Sequence, residues 1–345
     1  MKDCRLPICI NQSLWTRFLA MAMIFVLFRP PAVLSEPHLQ EEQSPWSGRV
    51  ELGILAMATT SRLVCLDSDD YPGLSNDFTT LDSLEENHHY EQVFNSFLLF
   101  NVNYQLNDTS SAYLGTPFFD DTRQGLTAGV QKLMANDNLV DASVFIDTTN
   151  IWKDPFETHV TRELTQAYTY GGTLDTDGLF GLPFHINIMT KCTRVIDDEA
   201  GRNFGRLRRD GYTHRLITGY NFYLDESFES VFKPSFIYTR DDRKGGANTY
   251  NGYGIELAYS TEWGRHAFMM AGGVAAARYE EDHPIFIKRR NDINYTFECF
   301  FTRRKLWDRN WYLRVGCGYE STNSNIGFYS ESNILYGVSL GYSFE

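Results

Sequence analysis

From about Gly48 to Phe344 the chain is written in twos. The clearest stretch is the last, Tyr336-Gly337-Val338-Ser339-Leu340-Gly341-Tyr342-Ser343-Phe344, apolar at every even position and small at every odd one. A period of two puts one face of an extended segment against apolar surroundings and the other against polar ones. Strand candidates run over 48–63, 93–106, 110–114, 125–133, 139–147, 163–174, 184–196, 212–222, 231–240, 250–261, 265–279, 293–303, 311–320 and 334–344. That makes fourteen, or twelve if the short third segment and the fourth form a loop excursion.

The links between these segments alternate in kind. Long polar ones cover 64–92, 115–124, 148–162, 197–211, 241–249, 280–292 and 321–333. The others are tight: Asn107-Asp108, Ala135 to Asn138, Asp175 to Gly178, Asp225-Glu226-Ser227, Glu262-Trp263-Gly264 and Trp307 to Asn310. They carry the Asn, Asp and Gly that turns use. An even strand count with short turns on one side and long loops on the other predicts an all-β, antiparallel, transmembrane up-and-down β-barrel, with periplasmic turns and extracellular loops. Parity then assigns faces. Phe94, Leu98, Phe100, Val102 and Tyr104 share one side of the second strand and Asn95, Asn101, Asn103 and Gln105 the other. In a barrel the first set meets lipid and the second lines the lumen; in a secreted sandwich or soluble barrel the first set would pack a core. The loop asymmetry and the aromatic ending favour the membrane reading.

The amino terminus adds a compartment. Phe18 to Phe28 is an eleven-residue apolar run behind Arg17, followed by Pro30-Pro31 and small residues up to Ser35. This predicts a signal peptide over 1–35, too short to span a bilayer as a helix, then a periplasmic lead-in over 36–47 and a barrel over 48–345. Export from a Gram-negative cell to its outer membrane follows, with outer-membrane lipid, lipopolysaccharide and the barrel-assembly machinery as expected partners. Tyr342 and Phe344 are the expected assembly signal, although Glu345 follows them.

Composition fits and narrows this. Aromatic residues make up 15% of the 345, including 25 Phe and 20 Tyr, as girdles would require. The net charge of −13 argues against nucleic acid, whose phosphates demand clustered Lys and Arg. Beyond the leader, Cys65, Cys192, Cys299 and Cys317 have no paired C-x-x-C spacing, so no metal site and no cofactor are expected. Cys299 and Cys317 lie equidistant from Asp308 in one predicted hairpin, which sets them opposite each other as two packed free thiols or one disulfide.

Several local sequences resemble a family of bacterial outer-membrane barrels known as domain of unknown function 2860. They are Gly115-Thr116-Pro117, Ser143-Val144-Phe145 leading to Trp152-Lys153-Asp154-Pro155, Asp197-Asp198-Glu199 with Arg202, and Arg209-Asp210-Gly211. The likeness spans most of 48–344; it implies a barrel in the outer membrane and brings no activity.

Chemistry is sparse. G-x-S-x-G, H-E-x-x-H and the phosphate-cradling G-x-x-x-x-G-K-[ST] are missing, and neither His185 nor His214 has a spacing that demands a nucleophile, so no catalytic residue is expected and the protein is read as a non-enzyme. The first long loop carries Asp67, Asp69 and Asp70, which lack an ordered calcium spacing. Loop 197–211 sets Asp197, Asp198, Glu199 and Asp210 among Arg202, Arg206, Arg208 and Arg209. Such interleaving either holds the loop folded by ion pairs or binds a cation or phosphate. Trp152-Lys153-Asp154 reads as a rigid turn or, less simply, a stacking platform. Lumen-lining candidates are Glu51, Asp141, Lys191, Arg215, Lys233, Glu256, Glu298, Arg314 and Glu320, of mixed sign and without a single-sign ring. The leading expectation is a narrow pore for small polar solutes. The alternatives are a structural or adhesive barrel with a closed, salt-bridged lumen, and a lipid-modifying enzyme.

Overall fold

A computed structural model describes residues 44–65, 79–85, 90–116, 125–134, 138–178, 181–227 and 229–345. The expected signal peptide, most of the lead-in and the Asp67, Asp69 and Asp70 cluster lie outside the described residues. Among the described residues fifteen strands are formed: β1 (Trp46–Thr59), β2 (Glu91–Asn107), β3 (Ser110–Gly115), β4 (Leu126–Leu133), β5 (Leu139–Trp152), β6 (Leu164–Asp177), β7 (Phe184–Val195) and β8 (Gly211–Tyr220). They continue as β9 (Phe222–Tyr223), β10 (Ser230–Arg243), β11 (Tyr250–Trp263), β12 (His266–His283), β13 (Lys288–Arg304), β14 (Trp311–Ser324) and β15 (Glu331–Phe344).

Apart from β8 and β9, each pairs antiparallel with its sequence neighbours, and β15 closes on β1 from Gly48↔Phe344 to Thr59↔Asn333. The fragment β9 continues β8 past Asn221, both pairing with β10, so the wall has fourteen staves. Short β3 and β4 are full members of that wall, which decides for fourteen over twelve. Trp46 and Ser47, expected in the lead-in, already belong to β1.

Alternation sets the two surfaces. Leu52 and Ile54 are 61% and 56% exposed, while Glu51 beside them is 2% exposed. An apolar exterior with all backbone groups paired around a closed ring is what a hydrocarbon environment requires. Aromatic pairs mark its borders. Trp46–Tyr104, Trp307–Trp311 and Trp311–Tyr342 stand at 4.7, 5.3 and 5.1 Å near the end that holds the termini. Tyr238–Tyr253, at 5.3 Å, lies toward the loop end.

Inside, large rings lie along the wall. Phe97, Tyr113, Phe145, Phe300 and Tyr312 sit directly opposite Gly53, Gly129, Gly171, Gly316 and Gly341 on adjacent strands. A Cβ added at any of these glycines would come within 2.0–2.8 Å of the opposing ring. Each glycine therefore leaves a recess that lets an inward aromatic pack flat against its neighbour.

The loop end departs from expectation. Residues 148–152, 241–243, 280–283, 288–292 and 321–324, expected in loops, are strand. β12 and β13 reach 18 and 17 residues, well beyond the roughly 9–11 a tilted span needs. Their polar overhang gains support from charge pairs, Arg289 of β13 with the facing Asp282 of β12 at 3.7 Å, and Arg240 of β10, two strands away, with Glu280 at 2.5 Å. The apolar alternation ends before the strands do, because pairing in water needs no apolar face.

Candidate functional site

Two regions collect the polar chemistry, the lumen and the loop end. All nine expected lumen residues fall on the inward parity of their strands. Glu51 lies across from Gly341, Asp141 from Gln131, Lys191 from Thr213, Arg215 from Met189 and Lys233 from Ala258. Glu256 lies across from Gly273, Glu298 from Ala271, Arg314 from Thr302 and Glu320 from Thr296.

Glu51 is the best-held of them. Its carboxylate accepts from Tyr312 Oη at 2.8 Å, from Arg314 Nη1 at 3.1 and 3.2 Å, and from Ser339 Oγ. Asp141 accepts from Tyr113 Oη at 2.8 Å and Gln131 Nε2 at 3.0 Å. Asp175 takes Asn187 Nδ2 at 2.9 Å and faces His185 at 3.8 Å. Glu51 and Asp141, buried and met by two or more donors each, are satisfied members of the wall. Sequence parity missed the apolar part of the same surface. Val93, Phe97, Phe145, Met189, Phe300 and Leu335 also point inward, so the lumen is polar with apolar patches. Their signal was present, since Leu55 and Met57 break the polar half of the alternation on β1.

At the loop end the connections fold into a cap. Its first apolar cluster joins Leu81, Ile326, Phe328 and Tyr329 with Leu84, Phe156 and Phe286; its second joins Ala200, Leu207 and Ala247 with Phe156 and Ile285. Among the described residues six of the seven long connections contribute, and Phe156 touches both clusters. Its ring centroid lies 5.1 Å from His283, 6.1 Å from Phe286, 5.1 Å from Phe328 and 6.4 Å from Tyr329.

The expected loop-site residues build the polar side of this cap. After β7 the chain makes a short helix, α1 (Glu199–Asn203), opened by Glu199 and capped by Asp198, whose Oδ1 accepts from Gly201 N at 3.2 Å. Asp198 also receives Arg209 N at 2.9 Å and Arg209 Nε at 2.8 Å. The Arg209 guanidinium then donates to the Trp152 and Lys153 carbonyls at 2.7 and 2.8 Å. One arginine thus fastens two loops through charge-assisted bonds. Lys153 meets Glu163 at 2.5 Å and Asp197 at 3.3 Å, and Asp197 also receives Arg202. Arg202 and Lys153 together hold the Asp197 carboxyl below its usual range. Asp154 accepts from Phe156 N at 2.9 Å, an Asx turn that aims the ring, and Asp210 takes Val195 N at 2.9 Å and Lys244 at 3.1 Å. Trp152 is 2% exposed beneath the Arg162 guanidinium at 4.1 Å, with its indole N–H on the Val64 carbonyl at 3.2 Å. Arg208 stands apart, exposed to solvent. These bonds use the charges internally, and the ring of Trp152 has no free face for stacking a ligand.

His283 is the unexpected member. It is 1% exposed, its Nδ1 accepts from Ile285 N at 3.3 Å, and its Nε2 lies 2.8 Å from Tyr329 Oη. The neutral ring therefore carries its proton on Nε2 and donates to the phenol. Burial, with Arg290 nearby, lowers its pKa to about 4. Among the described residues no serine hydroxyl lies within hydrogen-bond reach of His185 or His214; His214 instead meets Thr190 at 3.0 Å and stacks on Tyr212.

The profile of a family described as "Protein of unknown function (DUF2860)" matches residues 45–343. The chain belongs to this family. Among curated proteins none matches it in sequence. Of solved structures, the chain is similar to the "CymD monoaromatic hydrocarbon channel", at 9% identity and TM-score 0.43 over 87% of this chain and 89% of that one. It is also similar to a Pseudomonas aeruginosa FadL homologue, at 9% identity and TM-score 0.42 over 87% of this chain and 90% of the other. What this member of DUF2860 does is therefore read from its own side chains.

Proposed function

We propose that the protein is a narrow outer-membrane pore for small polar solutes, gated by its loop cap. In this reading the termini end faces the periplasm and the cap faces outward. The girdled exterior takes outer-membrane lipid and lipopolysaccharide, and Tyr342 with Phe344 is read by the assembly machinery. One observation carries the pore over a closed lumen. The pairs Glu51–Arg314, Asp175–His185 and Glu262–Arg304 each join neighbouring or next-neighbouring strands, so these charges run along the wall rather than across it. Inward aromatics lying flat over glycines add to the same effect. The cap has its own apolar clusters, separate from the wall, which is what a gate needs in order to move as a unit.

The test is planar-bilayer recording of the refolded full chain. Discrete openings that lengthen when the cap is loosened support the proposal. Silence from protein that shows heat-modifiable gel mobility, with wild-type and loosened caps alike, would overturn it in favour of a structural or adhesive barrel. Recovery of the protein from cells as a soluble periplasmic species would overturn the location.

A further inference from the structure

Arginines crowd one side of the lumen at the termini end. Arg49 near the start of β1, Arg304 at the end of β13, Arg309 in the β13–β14 turn and Arg314 on β14 line a cavity of about 280 Å³, with Thr302 beside them. Two of the four are neutralised from behind. Glu51 pairs with Arg314 at 3.1 Å, and Glu262 grips Arg304 through two bonds of 2.8 and 2.7 Å. Neither carboxylate lines the cavity. Among the described residues neither Arg49 nor Arg309 has an ion-pair partner. Two positive charges are left uncompensated in a chain whose net charge is −13.

Asp308 shares the turn with Arg309 and its carboxylate accepts from Asn310 N at 2.8 Å; a further acidic group at this end stands across the barrel. Asp141, Asp175 and Asp177 lie on β5 and β6, and β6 is seven staves around a fourteen-stave wall from β14, which carries Arg314. Seven of fourteen is the opposite side. Their own donors hold them: Tyr113 and Gln131 on Asp141, Asn187 on Asp175, and Asn221 on Asp177 at 2.8 Å. An anion entering here is attracted to the arginine side and repelled from the other.

We propose that this cavity binds a small phosphate-bearing solute through Arg49 and Arg309. The ligand class follows from the charge and the donors. A phosphate monoester carries close to two negative charges at pH 7 and matches the two uncompensated guanidinium groups. Planar guanidinium forks fit its oxygens in pairs, and the Thr302 hydroxyl adds a polar contact. Arg49 has the inward parity of Glu51, so the site opens to the lumen and selects a dissolved phosphate over a lipid headgroup. The proposal does not require the barrel to conduct, and a failed conductance test would leave it standing.

The experiment is calorimetric titration of the refolded full chain, in neutral detergent at low ionic strength, with inorganic phosphate. Saturable binding that weakens as sodium chloride is added is expected. Arg49→Gln or Arg309→Gln should weaken it about tenfold, and the double variant about a hundredfold, because each removes charged hydrogen bonds. Arg49→Lys with Arg309→Lys should recover part of the affinity. Heat-modifiable mobility verifies that each variant folds, and Arg309→Gln, in a turn, serves if a wall substitution fails. No saturable phosphate binding, or a folded double variant that binds as well as the parent, would overturn the site. Binding of monomeric short-chain phosphatidylglycerol without binding of inorganic phosphate would assign the arginines to lipid and overturn it as well.

Discussion

Phe156→Ala should loosen the cap and leave the barrel intact. The ring is the residue shared by both apolar clusters, with four aromatic neighbours, His283 at the end of β12 and Phe286, Phe328 and Tyr329 on the connections after β12 and β14. Truncating a fully buried Phe costs ~3–5 kcal/mol, and Phe156 is half-buried, so ~2–3 kcal/mol is expected here. That shifts a closed–open equilibrium about 30- to 150-fold. The assay is the open fraction in planar bilayers, beside the temperature at which the unboiled gel band converts to the boiled one. The open fraction should rise by that order, and the conversion temperature should move little because no wall hydrogen bond is touched. As a control, Val144→Ala on the lipid face, at a residue 64% exposed, should change neither. An unchanged open fraction in the Phe156 variant would refute the gate. Collapse of the barrel together with the cap would refute their independence.

Three further outcomes are expected. The packed His283 ring takes its proton only near pH 4, whereas a released ring takes it near 6.5. Between these values the open cap binds the extra proton, so closure is fully stable above about pH 6.5 and weakens as pH falls toward 4; the open fraction should rise over that window, and a pH-independent open fraction in the parent, or a rise equal to the parent's in His283→Gln, would contradict the assignment. Cys299 and Cys317 face each other directly in the β13–β14 register as free thiols on the lipid side; an uncharged maleimide should label both in the folded protein and a charged one neither, and fast labelling by the charged reagent would refute the register. Deleting Glu345 should leave insertion near the parent level, whereas also removing Phe344, whose ring covers Gly48 on β1, should impair it several-fold in an assembly assay, and equal insertion of both would count against that role.

The barrel is legible in the sequence because period-two alternation survives wherever lipid sits on one side of the wall. Even β3, six residues long, keeps its outward Leu114 and inward Tyr113. Legibility stops where lipid stops. Strand overhangs such as Asp282 opposite Arg289 are paired by charge, which has no period, and so they read as loops. The cap is hidden for a related reason. Its contacts join residues far apart in sequence, as when Arg162 Nη1 reaches the Arg62 carbonyl across 100 residues at 2.9 Å, and no local pattern records such a meeting. A trace is present all the same, in Ile285-Phe286-Ile287 and in Ile326-Gly327-Phe328-Tyr329, apolar groups at positions where an exposed loop would be polar. Such groups are tolerated in a loop when they find one another. Ile287 does not, being 83% exposed at a positive φ of 51° on the tip of the β12–β13 turn, while Phe286 beside it does. Apolar residues in the loops of a barrel therefore point to a folded lid on the strength of the amino-acid order alone. At the opposite mouth Arg304, Arg309 and Arg314 fall in one hairpin, but Arg49 joins them only when β1 lies close to β13 and β14 in the closed wall, and no local pattern records that meeting.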